Sequence, residues 1–433
     1  LSIPRRRGKA KIKVIDKRSL TQKMLKDLKI GDLDTRVSLI QSLITLGLRA
    51  VEEELDKEVA MLLNNPKEKN TIWGKNPGPV YLQEQKAPIM VQRVRDRYQN
   101  KEQTIHAYQR LQKPYLCDKK AMLKLLNGIS THKYKESSEL VPEVFGLSAS
   151  NMSKRFKNLA EESLKELNTR PLSIYDFICI FIDGKRYAED GILVALGVTI
   201  EGIKVILGIE HLHTENSVAI NQFLDKLIER GLRYDQGILF IVDGSKGIIK
   251  AIEEKFQEYG FIQRCIWHKE QNVISYLSKH QQEICKLDLK RAYKNTSYKD
   301  ALKSLEGLYN RLAITNESAA SSLKEGIDEI LTLHRLGLSS ELCKSLNSTN
   351  SIESVMSQLG MYTDKVDRWQ SSNQILRWTA AGLLEIEPSL RKIHGHDYLP
   401  LLRYRLKEEI QKRQEEKYGD IKEKEAVEVK IEL

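Results

Sequence analysis

The chain has 433 residues, of which 41% are hydrophobic and 30% charged, a composition that excludes a collagen-like or wholly disordered protein and leaves room for roughly three folded domains. Seventy Lys and Arg against fifty-nine Asp and Glu give a net charge of +11. That excess favours a polyanionic partner such as nucleic acid, although an ordinary basic protein would share it. The five cysteines are odd in number and scattered, so no disulfide framework is expected and a reducing cytoplasm is. No signal-peptide core is visible, and the longest apolar run, Ile192 to Ile200, falls well short of the ~18 residues a membrane span needs.

Residues 1–18 form a basic arm in which Arg5, Arg6, Arg7, Lys9, Lys11, Lys13, Lys17 and Arg18 face a single acid, Asp16. Such an arm is either a solvated terminus or a segment that orders on phosphate. Apolar residues at helical spacing (Val37, Ile40, Leu43, Ile44) predict helices between Leu20 and Leu63. Residues 64–89 turn irregular, punctuated by Pro66, Pro77, Gly78, Pro79 and Pro88, with a short hairpin expected at Val80–Leu82 and Ile89–Val91. Residues 118–169 read as a compact helical unit. Helices over about 118–126 and 131–140 lead into the turn Phe145-Gly-Leu-Ser148, and a third helix continues through Met152, Phe156 and Leu159. Helix, Gly-containing turn and a helix opening with Ser150, Asn151, Ser153, Lys154 and Arg155 is the helix-turn-helix pattern. Short polar side chains there would reach base edges while the cations hold phosphates. Any helical hairpin with a Gly turn shares that pattern.

From Ser173 the texture becomes that of strands, expected at 174–182, 191–200 and 203–210, then a helix at 216–230, a strand at 238–242, a helix at 246–258 and a strand at 261–266. Three meandering strands followed by helix, strand, helix and strand is the order of a ribonuclease H-like α/β fold. In that order the first and fourth strands lie side by side and parallel. Residues 269–345 carry only helical signals and look like an insertion, after which a helix at 352–359 returns to the core. The expected division is a basic arm (1–18), a helical and irregular region (19–117), a helix-turn-helix unit (118–170), the core in two parts (171–268 and 346–402) around the all-helical insertion (269–345), and a charged C-terminal helix (403–433) read as solvated.

Two of the apolar strands end in Asp-Gly, at Asp183-Gly184 and Asp243-Gly244, and a third acid, Glu353, opens the helix at 352. Asp-Gly alone is turn chemistry. Two such ends on neighbouring strands, with a helix-borne Glu, are the ingredients of a site in which carboxylates hold two divalent ions about 3.5–4 Å apart for phosphoryl transfer. Mg²⁺, or Mn²⁺, suits such oxygen ligands. Glu189, Asp190 and Glu210 lie close enough along the strands to be substitutes for Glu353. Cys265-x-x-His268 follows the last strand. Two ligands are too few for zinc, so a buried Cys is expected, with His268 near the carboxylates in a catalytic or orienting role.

The stretches Phe181-Ile-Asp183-Gly184, Ile241-Val-Asp243-Gly244, Gln263-Arg-Cys265-Ile-Trp267-His268-Lys269 and Thr349-Asn-Ser-Ile-Glu353-Ser resemble the signature blocks of Mutator-type bacterial insertion-sequence transposases, in that family's order. Gly78-Pro-Val-Tyr-Leu-Gln-Glu-Gln-Lys-Ala-Pro and Phe145-Gly-Leu-Ser-Ala-Ser are similar to it too. After the glutamate this chain reads Ser-Val-Met-Ser where the family usually has Ser-Leu-Asn. The resemblance implies an Asp-Asp-Glu transposase with Asp183, Asp243 and Glu353 as the metal-binding triad. It would bind terminal inverted repeats, hydrolyse DNA at the transposon ends and join the 3′ hydroxyl to target DNA. Double-stranded DNA would be the partner, the working form a homodimer or larger assembly, and the setting a bacterial cytoplasm at the nucleoid. The alternatives are a ribonuclease H-like nuclease or resolvase that cuts without joining, and a non-catalytic DNA-binding descendant of a transposase.

Overall fold

The computed structural model describes residues 33–65, 69–82, 85–112, 122–123, 125–128, 149–187, 190–212 and 217–431. The basic arm with Arg5, Arg6 and Arg7, the expected helix at 131–140 and the turn at 145–148 lie outside these residues. The chain divides into two compact units, one reaching Phe156 apart from Leu126–Gly128, the other comprising Leu126–Gly128 and Lys157 onward.

In the first unit a long helix, α1 (Leu33–Leu63), precedes a three-stranded antiparallel sheet of β1 (Asn70–Leu82), β2 (Gln85–Asp96) and β3 (Lys101–Glu102), followed by α2 (His106–Leu111). The expected short hairpin is therefore much longer. Pro77 and Pro79 sit within β1 opposite Met90 and Pro88. Among the described residues β1 has no neighbour on its outer side, and an edge strand tolerates proline because a missing N–H can face away from the ladder. Val80, Ala87, Ile89, Val91 and Val94 form the core with Val51, Leu55 and Val59 of α1. Gly78 is required by packing, since a Cβ there would stand 2.0 Å from the Tyr108 hydroxyl.

Helix α3 (Ala149–Thr169) leads into the second unit. That unit is built on a five-stranded mixed sheet of β4 (Phe177–Tyr187), β5 (Asp190–Thr199), β6 (Lys204–Leu212), β7 (Ile238–Val242) and β8 (Gly260–Arg264), in the order β6-β5-β4-β7-β8. The first three strands meander antiparallel, while β4–β7 and β7–β8 are parallel. The first and fourth strands are thus side by side and parallel, as expected from the sequence. Helices α4 (Ser217–Glu229) and α5 (Lys246–Phe256) supply the crossovers. From Phe177 to Ile182 every residue of β4 is buried. Phe177, Ile180 and Ile182 join the core under α4 and α5, while Ile178 and Phe181 join the core on the opposite face. A central strand covered on both sides needs an unbroken apolar run rather than alternation, and that is what the sequence contains.

The helical stretch after β8 comprises α6 (Ile266–Ile274), α7 (Lys279–Lys294), α8 (Tyr298–Thr315), α9 (Glu317–Lys324), α10 (Ile327–Ile330), α11 (Thr332–Arg335) and α12 (Ser339–Leu346). Residues from Val273 to Leu331 have a hydrophobic core of their own, whereas Leu333, Leu336, Leu338, Leu342 and Leu346 pack with the main sheet. Helices α13 (Asn350–Thr363) and α14 (Ser372–Ile386) complete that face. The last helix, α15 (Leu399–Ile431), corrects the expectation of a solvated tail. Leu399, Leu402, Leu406 and Ile410 recur every three or four positions among the charges and are buried in the main core. Buried Arg403 donates to the carbonyls of Gly237 and Phe177 and to Asp176. No helix among the described residues is long and apolar enough to cross a membrane.

Candidate active site

The parallel register of β4 and β7 pairs Phe181 with Ile241, so Asp183 and Asp243 stand at equivalent positions just beyond that last pair. Asp183 is not the tip of its strand, because Gly184 to Tyr187 continue to pair with β5 after β7 has ended. Its carboxylate accepts the Gly184 N–H at 2.8 Å. Asp243 leaves β7 through a turn in which its Oδ1 accepts the Ser245 N–H at 2.8 Å, and α5 begins at the next residue. Gly244 adopts φ +103°, and a Cβ there would stand 2.0 Å from Nε of Arg264, so both conformation and space demand glycine.

Glu353 lies in the first turn of α13. Ile352, Val355, Met356 and Leu359 bury one stripe of that helix against the sheet and leave Glu353 on its flank. Lys185 of β4 donates to the Met356 carbonyl at 3.1 Å, tying the helix to the strand that carries Asp183. Burial pushes the Asp183 carboxyl up to about 6. The negative charges of Asp243 and Glu353 add to that rise, while the Gly184 N–H and the His268 charge oppose it. Strand register makes the two aspartates neighbours, whereas among the described residues Glu353 comes to ligand distance with Cys265 and His268 rather than with either aspartate.

Cys265 is fully buried at the head of α6, its N–H donating to the Val242 carbonyl immediately before Asp243. His268, one turn on, has Nδ1 3.9 Å from Glu353 Oε1. Among the described residues Cys265, His268 and Glu353 form a set whose ligand atoms all lie within 4.8 Å of one another. The centre of this set is filled by Thr349, which is fully buried. Its hydroxyl lies 3.4 Å from Cys265 Sγ and 3.3 Å from His268 Nδ1, and donates to Glu353 Oε1. The cluster is thus a hydrogen-bond network around the Thr349 hydroxyl. Its hydrogen bond with Cys265 is the chief cause holding the His268 imidazole above its usual pKa, with burial opposing and Glu353 and Asp243 assisting. Burial pushes the Cys265 thiol up, but bonds from His268 and Thr349 outweigh it and leave it below its usual value.

Thr349 was not among the residues singled out from the sequence, although it opens the Thr349-Asn-Ser-Ile-Glu353 block. Its role depends on the fold bringing α6 to the head of α13, visible in the Ile266 N–H bond to the Asn347 carbonyl at 3.0 Å. Two of the alternative acids, Asp190 and Glu210, are committed elsewhere. Asp190 pairs with His211 at 2.8 Å and Glu210 with Lys226, while Glu189 lies outside the described residues. Of the residues at the head of α3, Ser150, Ser153 and Lys154 are exposed, and the side chain of Asn151 is outside those described. Arg155 is 8% exposed, 5.6 Å from the centre of the Tyr81 ring, and bonds to Met152 Sδ at 3.5 Å, so it faces the interior of its unit.

A sequence profile described as "Transposase, Mutator family" matches residues 45–387, most of the chain, so the chain belongs to the Mutator family of transposases. The transposase for insertion sequence element IS905 of Lactococcus lactis is 26% identical over 250 residues, 55% of this chain and 60% of that protein. The transposase for insertion sequence element ISRM5 of Rhizobium meliloti is 28% identical over 270 residues, 60% of this chain and 65% of its own length. The transposase for IS6120 of Mycolicibacterium smegmatis is 25% identical over 245 residues, 55% of this chain and 74% of its own. The chain therefore matches under two thirds of the length of the first two relatives.

Proposed function

We propose that the chain is the transposase of an insertion sequence, with a ribonuclease H-like core that cuts DNA at the element's ends and joins the freed 3′ hydroxyl to target DNA. The observation that carries the reading is the in-register pair of carboxylates, Asp183 and Asp243, on adjacent parallel strands, with Glu353 close enough to raise the Asp183 carboxyl. Paired carboxylates on adjacent strands suit cations, and Glu353 adds negative charge beside them. Two Mg²⁺ or Mn²⁺ ions bound by Asp183, Asp243 and Glu353 would supply positive charge to the attacking and leaving oxygens.

The chain's own groups do the rest. The Asx turn at Asp243 and the Gly184 N–H at Asp183 fix one oxygen of each acid and leave the other for a ligand. Thr349 donates to one Glu353 oxygen and orients that carboxylate. His268, whose pKa its bond to Cys265 raises, serves as donor toward Thr349 or toward a phosphate oxygen of the bound DNA. Ser150, Asn151, Ser153 and Lys154 at the head of α3 and Arg5, Arg6 and Arg7 in the basic arm are assigned to DNA contact, while Arg155 supports that helix from inside. Because two ends must be cut and joined together, the working form is a homodimer or larger.

The test uses the inverted repeats that flank the gene as labelled duplex ends, with a supercoiled plasmid as target and Mg²⁺ as the ion. Ends joined to the plasmid by the parent chain, and lost with Asp243→Asn, support the reading. Hydrolysis without joining would make the protein a nuclease, and end binding without either reaction would make it a DNA-binding protein.

A further inference from the structure

One face of the first unit's sheet carries a row of cations that no reading so far has used. Along β2, Val94 and Asp96 are buried at 0% and 2% exposure, so Arg93, Arg95 and, just past the strand end, Arg97 project from the other face. Thr71 and Trp73 of β1, with Lys69 just before the strand, line up beside them, and the register shifts between Ile72 and Lys75. Trp73 is 52% exposed in this irregularity, with the Arg93 guanidinium 4.8 Å and that of Arg95 4.0 Å from its ring centre. Arg95 also donates to the Asn100 carbonyl at 3.2 and 3.4 Å, and Arg97 to Thr71 Oγ1 at 3.3 Å. Glu102, the one acid on this face among the described residues, is taken by Arg93 in a two-pronged pair at 2.6 and 2.8 Å.

A purely structural role would need one arginine on the tryptophan. Alternate positions on a strand lie about 6.6–6.8 Å apart, so three arginines and a lysine on one face repel one another, and Glu102 neutralises Arg93 alone. The stacking and backbone bonds nonetheless hold these guanidiniums in a fixed row, which removes the rotamer entropy a ligand would otherwise have to overcome. The ligand that matches a linear row of fixed cations is a row of phosphates. With Arg95 covering the ring, Trp73 is a support for the arginines and not a platform for stacked bases.

We infer that this face of β1 and β2 is a sequence-independent binding site for the phosphate backbone of duplex DNA, additional to the helix and arm contacts proposed above. The inference rests on the transposase reading for the presence of DNA, but its test does not require catalysis. Binding of the full chain to a labelled random-sequence duplex is measured by fluorescence anisotropy across a salt series. Arg95→Gln/Arg97→Gln should reduce the slope of log K against log salt by about 1.8, or about 0.9 per lost phosphate contact. The charge-matched Lys299→Gln/Lys303→Gln pair on α8 should leave the slope unaltered. Trp73→Ala, which removes no charge, should weaken binding about 3–5-fold with the slope unchanged, because it only frees the arginines. Circular dichroism and melting confirm that each variant is folded. A parental slope in the Arg95/Arg97 variant, an equal drop in the lysine control, or tighter binding of single-stranded DNA or RNA than of duplex would each overturn the assignment while leaving the transposase reading standing. A parent chain that binds no duplex at all would remove that reading as well.

Discussion

Replacing Asp183 by asparagine should stabilise the metal-free protein, because the fold holds that carboxylate at a cost. Burial, helped by the charges of Asp243 and Glu353, raises its carboxyl from 3.8 to about 6. The folded protein thus binds this proton more tightly than the unfolded chain does. Below about pH 3.8 both states carry the proton and nothing is lost. As the pH climbs from there to about 6 the unfolded chain ionises first and stability falls, and above that the full penalty remains. The rise from 3.8 to about 6 corresponds to about 3 kcal/mol at 1.36 kcal/mol per pH unit. Asp183 keeps some contact with water, and screening reduces this to about 1–2 kcal/mol. Asparagine retains an oxygen for the Gly184 N–H, so that bond survives the change.

In EDTA near pH 7.5, Asp183→Asn should therefore melt about 2–5 °C above the parent, while near pH 4 the two should melt alike. Mg²⁺ should close the gap by stabilising the parent, since an ion that binds only the folded form shifts its melting upward. Differential scanning fluorimetry across this pH range, with and without Mg²⁺, provides the measurement. An asparagine variant that is equally or less stable in EDTA at neutral pH would refute the argument. So would a difference that persists unchanged into acid.

Asp243→Asn and Glu353→Gln should each lower end cleavage by at least about 10²–10³-fold while leaving duplex binding intact, measured by gel assay and anisotropy on the same samples. Thr349→Val keeps the shape but removes the hydroxyl that touches Glu353, His268 and Cys265. Cleavage should fall about 10–100-fold and need more Mg²⁺, with the fold retained, and a variant of parental Mg²⁺ dependence would remove Thr349 from the site. Gly244→Ala must place a Cβ against the Arg264 guanidinium at a backbone angle of +103°, and should cost about 1–3 kcal/mol in chemical denaturation.

Much of the sheet was legible because its chemistry is local. The apolar runs of β4 and β7 end in Asp-Gly, and the short connection between β5 and β6 can only return antiparallel, so strand identity and neighbours followed from pattern. Other features were obscured by competing signals. Pro77, Pro79 and Gly78 are turn residues in most settings, yet here they lie on an edge strand, and edge status is a property of the sheet that sequence does not display. The buried stripe of α15 was hidden because Leu402, Leu406 and Ile410 are spaced among many charges, where the alternating charge pattern dominates the eye. Thr349 was missed for a different reason. A lone threonine carries no chemical signature until the fold sets it between a thiol, an imidazole and a carboxylate that come from two helices.

The helical stretch after β8 is bonded directly to the segment that carries Cys265 and His268. Arg264, the last residue of β8, is 4% exposed, and its guanidinium fills the space above Gly244 in the Asp243 turn. The same guanidinium reaches the Glu325 carboxylate at 3.4 Å and lies against Gly326, at the turn between α9 and α10. Lys269, fully buried next to His268 in sequence, meets the same carboxylate at 3.1 Å. Two cations withdrawn from water need this shared partner, because an uncompensated buried charge is far more costly than an exposed one. Glu325 thereby ties the end of α9 to both sides of the Cys265–His268 turn at once. A displacement of α9 would have to break these pairs or carry Arg264 with it, and Arg264 cannot move without opening the space over Gly244. Arg264 thus links the position of α9 to the shape of the Asp243 turn.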